Sequence, residues 1–224
     1  MVKIYLSTKS RYNFSFKELY NYIIVIICFT IAFTICLGGG FFLFVFLWYG
    51  IYTIFDFFEI LLISFLGTLT GVIIHELCHK LTANFLGYRA SFKISYLGII
   101  ISILSSFFMV VIAIPGAVII NDKWIGKPLT KKTFGKVAAA GPISNIIIGA
   151  VLLLISYLFL PTIILWIWFV AFINVYLGLF NIIIPLGIFD GAYVYKYNKK
   201  VWLIIVINAL LLFIVTIIFQ IIFI

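Results

Sequence analysis

Residues 60–79 read Ile60-LLISFLGTLTGVII-His75-Glu76-Leu77-Cys78-His79. An apolar run leads directly into a cluster of ionisable side chains, and His75 and His79 are the only two histidines in the chain. Ionisable groups are costly in hydrocarbon and are kept there mainly where they serve a function. Two questions follow: whether the run lies in a bilayer, which sets the fold class, and what the cluster holds.

The composition answers the first. The 224 residues are 66% hydrophobic and 9% charged, far less charge than a water-soluble domain carries. The segments 19–55, 94–121, 137–189 and 201–224 contain no Asp, Glu, Lys or Arg. Each can supply the roughly 20 apolar residues of a membrane helix. The expected fold is an all-α polytopic membrane protein. It has about six transmembrane helices, a short membrane-associated β hairpin and a re-entrant segment. The first apolar span is too long for a cleavable signal peptide, and nothing alternates as strands of an outer-membrane barrel do. The net charge of +9 comes from Lys and Arg placed between apolar spans, where topology signals and lipid contacts belong. The expected surroundings are therefore the lipid bilayer, with no nucleic-acid partner.

Three regions are expected: 1–59 with the N-terminal membrane segment or segments, 60–195 as the core, and 196–224 as a C-terminal transmembrane helix. Segment 19–55 is interrupted at Gly38-Gly39-Gly40. It suits two short helices, or one crossing plus an interfacial piece. Asp56 and Glu59 precede a helix expected at about 60–85. Gly87 to Gly98 alternates apolar and polar residues, a strand or hairpin pattern. Further helices are expected at about 137–160, 163–185 and 201–223. Cys28, Cys36 and Cys78 are too few and too apolar in setting for a disulfide framework, and packing is the expected role of each.

His-Glu-x-x-His addresses the second question. Residues four apart share one helix face, so His75 and His79 can offer two imidazole nitrogens to one ion, with Glu76 beside it. A catalytic zinc uses three protein ligands and keeps one position for water, and a neighbouring carboxylate can move the proton. The bland reading is a pair of membrane-buried histidines with Glu76 paired to Lys80. A third ligand is needed, and only Asp122 and Asp190 remain as acids after the motif. Asp122 lies at the start of the basic loop that runs to Lys136. Asp190 follows an apolar helix that Pro185 and Gly187 must break, and broken helices at membrane depth line cavities. Asp190 is the expected ligand.

Three separated motifs resemble those of the site-2 protease family of intramembrane zinc metalloproteases. They are His75-Glu76-Leu77-Cys78-His79, Ala140-Gly141-Pro142-Ile143-Ser144-Asn145, and the segment from Asn181 through Pro185 to Asp190-Gly191. The resemblance covers most of 60–195. It implies one Zn2+ per chain on His75, His79 and Asp190, Glu76 as general base, and a transmembrane-protein substrate cleaved in or near its membrane segment. It also implies that Asn145 or Asn181 positions substrate or polarises its carbonyl. Stretch 87–98 is similar to the family's membrane-associated β region, near an unwound substrate. This sequence departs from the family with Cys78 and Ala192 where many members have glycine. A metal permease using the same cluster and a catalytically silent relative are the alternatives. No internal repeat supports the first, and the intact base and ligands oppose the second.

Topology tests this reading. Zinc bonds are about 2 Å long, so His79 and Asp190 must share one depth. The positive-inside rule puts Lys80–Lys93, Lys123–Lys136 and Lys196–Lys200 on the cytoplasmic side of a cell membrane, with the active site facing that way. Helices 137–160 and 163–185 then go out and return. Segment 99–121 cannot cross once. It should re-enter, turning near Pro115-Gly116, or lie along the interface. An odd number of crossings is expected in 19–55.

Overall fold

The computed structural model describes residues 14–121, 128–158 and 161–223. Asp122 and Lys123, named above as loop and topology residues, lie outside the described residues. The elements, in order, are α1 (Phe16–Leu37), α2 (Phe42–Trp48), α3 (Ile54–Thr68), a π-helical turn (Leu69–Ile73), α4 (Ile74–Phe85), β1 (Arg89–Ile94), α5 (Tyr96–Ser106), β2 (Gly116–Asn121), α6 (Lys131–Leu158), α7 (Pro161–Ile183), α8 (Asp190–Tyr197) and α9 (Lys199–Phe223). Among the described residues, five helical spans are long and apolar enough to cross a bilayer: Phe16–Leu37, Ile54–Phe85, Lys131–Leu158, Leu165–Ile183 and Lys199–Phe223. The protein is thus an all-α polytopic membrane protein with a small two-stranded sheet. Among the described residues it has five such spans where about six were expected, because 19–55 holds one long helix and α2 has only seven residues, about 10 Å of helix against a core about 30 Å thick.

The first apolar span resolves into one long helix and one short one. α1 is 22 residues long, the chain turns through Gly38-Gly39-Gly40, and α2 adds seven residues. Gly40 has φ +63°, and a Cβ there would collide with the carbonyl of Phe107. The Phe41 amide donates to that same carbonyl (3.1 Å).

The next span begins earlier than the sequence suggested. Thr53 caps α3, with its side chain and that of Asp56 bonding each other's backbone amides. Asp56 therefore opens the helix instead of preceding it. Helical structure runs unbroken from residue 54 to 85, so the division expected between 59 and 60 falls inside a helix, and the one between 195 and 196 falls inside α8.

Segment 87–98 is not a hairpin. Only 89–94 is a strand, and its antiparallel partner is β2, in register from Arg89↔Asn121 to Ile94↔Gly116. Ser95 ends the strand by capping α5 through the Gly98 amide (3.1 Å), so the chain enters a helix before it returns. That return makes 95–115 re-entrant. The reversal sits at 107–110, where Met109 has φ 61°, and not at Pro115-Gly116. Non-helical backbone at membrane depth must find partners inside the protein, and serines of α5 and its cap help supply them. Ser102 Oγ donates to the carbonyl of Ile112 (2.6 Å), Ser105 Oγ accepts from the Ile112 amide (3.0 Å), and the Ser95 amide donates to Pro115 (3.0 Å).

The main apolar cluster joins α1 (Tyr22, Val25, Phe29, Phe33) to Val72, Phe92, Ile173 and Leu177. A buried ion pair ties α1 to α4 and β1 beside this cluster. Lys80, 0% exposed, donates to both carboxylate oxygens of Glu18, 3% exposed, at 2.7 and 2.8 Å. Glu18 also accepts from the Phe92 amide (2.8 Å), and the Lys80 ammonium lies 3.5 Å over the Phe14 ring. Lys80 is thus paired with Glu18 rather than Glu76. Removing one member of a buried pair leaves an uncompensated charge, which costs about 3–5 kcal/mol. Lys80→Met or Glu18→Gln alone should lower the thermal unfolding temperature in detergent sharply, and the double variant should recover much of the loss.

Candidate metal centre

His75 and His79 lie on consecutive turns of α4, with ring centroids 4.6 Å apart. Pro185 and Gly187 end α7 and send the chain through an irregular stretch to Phe189, which caps α8. The Trp202 indole of α9 donates to Ile182 (2.8 Å) at the broken end. Asp190 is consequently the first residue of α8, not a C-terminal turn residue of α7. Its Oδ2 lies 3.1 Å from His75 Nε2 and 3.2 Å from His79 Nε2.

The donor chemistry asks for a cation between these atoms. His79 Nδ1 lies 2.7 Å from the carbonyl of Val137. A carbonyl only accepts, so Nδ1 carries the proton, and in the neutral ring Nε2 is a bare lone pair. That lone pair faces another acceptor, the Asp190 carboxylate. One shared metal ion satisfies both. The spacing agrees: with bonds of about 2.0–2.1 Å, adjacent donors on a tetrahedral zinc lie about 3.3 Å apart. The ligand atoms of His75, His79 and Asp190 all fall within 4.8 Å of one another. Among the described residues His75 Nδ1 is buried without a hydrogen-bond partner, so its tautomer is not fixed in the same way.

Gly141 of α6 faces this point. A Cβ there would meet His75 Nε2 at 2.6 Å and overlap His79 Nε2, which gives the glycine of Ala140-Gly141-Pro142 a steric reason. Glu76 lines the adjoining cavity and, among the described residues, forms no hydrogen bond or ion pair. The cavity has a volume of about 520 Å³ and is walled by α4, the 113–120 segment, the start of α6, Leu177 and Asn181 of α7, and Gly187 to Tyr193.

The two asparagines separate. Asn181 reaches the cavity wall, with Nδ2 donating to Leu177 (3.1 Å). Asn145 does not: it is 0% exposed and donates to the carbonyl of Gly71 in the π turn (3.1 Å). Asn174 supports the same turn by donating to Thr70 Oγ1 (2.8 Å). A π turn shifts helix register by one residue and often marks a functional site. Here it precedes His75 directly. Sequence reasoning missed this turn, the Val137 carbonyl and Asn174. The glycine and asparagine of the middle motif were visible signals, whereas a backbone carbonyl gives none. Cys78 is half-buried and outside the cluster; Cys28 and Cys36 pack against the α1 apolar cluster.

No protein-family model matches the chain, and no solved structure matches it. It is similar to a protein of Methanocaldococcus jannaschii named "Putative zinc metalloprotease", with 34% identity over 149 residues, covering 65% of this chain and 75% of that one. The chain belongs to that zinc metalloprotease family, and the His75/His79/Asp190 cluster fits the membership.

Alanine favours helix over glycine, so Gly141→Ala should leave the circular dichroism spectrum unchanged. Its metal affinity should nonetheless fall at least about 10–100-fold, the range seen when groups around a metal's ligands are disturbed, as read by mass-spectrometric zinc content after dialysis.

Proposed function

We propose that this chain is an intramembrane zinc metalloprotease of the site-2 type. In this reading it holds one zinc ion on His75, His79 and Asp190 and hydrolyses peptide bonds in or near the transmembrane segments of other membrane proteins, as in regulated intramembrane proteolysis. The observation that carries the reading is the meeting of two imidazoles and a carboxylate at one point between membrane-capable helices, beside a glutamate that lines the same cavity.

When bound, zinc supplies Lewis-acid activation of water and of the scissile carbonyl. The remaining work falls to the chain. Glu76 faces the cavity with both carboxylate oxygens uncommitted among the described residues. It takes a proton from the attacking water and returns one to the leaving amide nitrogen, so the C–N bond breaks with protons balanced. The hydrogen bond from His79 to Val137 fixes the ring that presents Nε2. Asn181, in the wall, positions substrate. Asn145 acts from behind, holding the π turn that aims α4.

A helical substrate must unwind before its carbonyl can be attacked, and an exposed sheet edge can capture the unwound chain as an added strand. Among the described residues, the edge without a strand partner or side-chain bonds is that of β2. The outer edge of β1 is occupied by Glu18 on the Phe92 amide, Asn21 on the Phe92 carbonyl (3.4 Å) and Asn84 on the Ala90 amide (3.2 Å). The 113–120 segment instead lines the cavity. The capturing strand is thus β2 and not the 87–98 stretch. Lysine placement supports a site open to the cytoplasmic side of the cell membrane.

Glu76→Gln should retain zinc and lose cleavage of a labelled transmembrane-helix substrate in detergent by about 10²–10⁴-fold, whereas His79→Ala and Asp190→Asn should lose both. Equal cleavage by wild type and Glu76→Gln would remove the proposal.

A further inference from the structure

We propose that Lys93 forms a carboxylate-binding subsite in the cavity, so that preferred substrates carry an acidic side chain in the stretch that pairs with β2. This rests on the protease reading and on strand addition. Along β1 the side chains alternate. Phe92 is buried and stacks on Tyr22 with centroids 4.7 Å apart, so Lys93 projects from the opposite face. Lys93 is exposed, lines the same cavity as Glu76 and Asp190, and makes no ion pair or hydrogen bond through its side chain among the described residues.

Its cross-strand partner is Ala117, whose methyl group leaves the way over β2 open. An added strand would lie two strand spacings, about 10 Å, from the β1 backbone. A lysine stem covers about 6 Å of that, and an aspartate or glutamate beside Ala117 spans the remainder. The cavity wall also carries the apolar Ala117 and Ile119 on the Lys93 face of the sheet, and Ile188. An unmatched cation beside low-dielectric walls draws in anions, and a basic residue on the substrate would be repelled. The phosphate of an anionic lipid offers similar chemistry. The position of Lys93 in the cavity wall favours the substrate carboxylate.

The test uses zinc-loaded Glu76→Gln protein, which should bind without cutting, in nanodiscs of neutral phosphatidylcholine. The probes are fluorescent transmembrane peptides that differ by one Glu, Gln or Lys, scanned through the juxtamembrane stretch. At one position the Glu probe should bind about fivefold tighter than the Gln probe, the size of a partly exposed ion pair. Lys93→Met should abolish the ratio, and Lys93→Glu should transfer the preference to the Lys probe. Equal binding of Glu and Gln probes at every position overturns the proposal. So does a ratio unchanged by Lys93→Met, failure of every probe to bind, or a ratio that requires anionic lipid. Lys93-dependent binding with no cleavage by the wild-type protein would count against the protease reading and leave the subsite standing.

Discussion

The structure depends on one requirement of depth. Two imidazoles on α4 and a carboxylate 115 positions after the first of them meet at about 3 Å, and they do so between helices that bury few other ionisable groups. Everything between must leave that depth and come back to it. Residues 95–115 do so by folding out as a short helix and back as extended chain. α6 and α7 do so as a packed pair. A single extra crossing in either place would put Asp190 on the far leaflet.

Meeting the requirement opens the backbone at three places where lipid supplies no hydrogen bonds, and at each a side chain bonds the exposed backbone. The π turn before His75 receives Asn145. The return after α5 is bonded by Ser102 and Ser105. The broken end of α7 receives the Trp202 indole. The Glu18–Lys80 pair plays a comparable part by tying the N-terminal helix to the residue after His79 and to β1. The N-terminal helix is therefore part of the core, not an appended anchor.

Much of this was legible because membrane chemistry narrows the choices. Charge-free spans gave the fold class, and two histidines and an aspartate in an apolar sequence pointed to one another. The illegible parts have physical causes. Segment 99–121 is apolar throughout, and hydropathy cannot distinguish a crossing from a helix that turns back; only the depth argument did. The strand partner of 89–94 was hidden because a helix separates the two strands, and adjacency in sequence suggested a hairpin. Asp56 looked like a boundary because its charge was weighed without the Thr53 hydroxyl that makes it a cap. Asn145 was read as a group facing substrate because it stands in a motif, whereas its Nδ2 donates to a backbone carbonyl that no sequence pattern displays.

The central claim is most directly tested by zinc K-edge X-ray absorption on the purified protein. The account predicts a four-coordinate ion with two imidazole nitrogens and oxygen donors at about 2.0–2.2 Å, and a spectrum that loses the imidazole signature when His75 and His79 are replaced together. A sulfur-ligated zinc, or an imidazole-ligated one that persists in the doubly substituted protein, would contradict it.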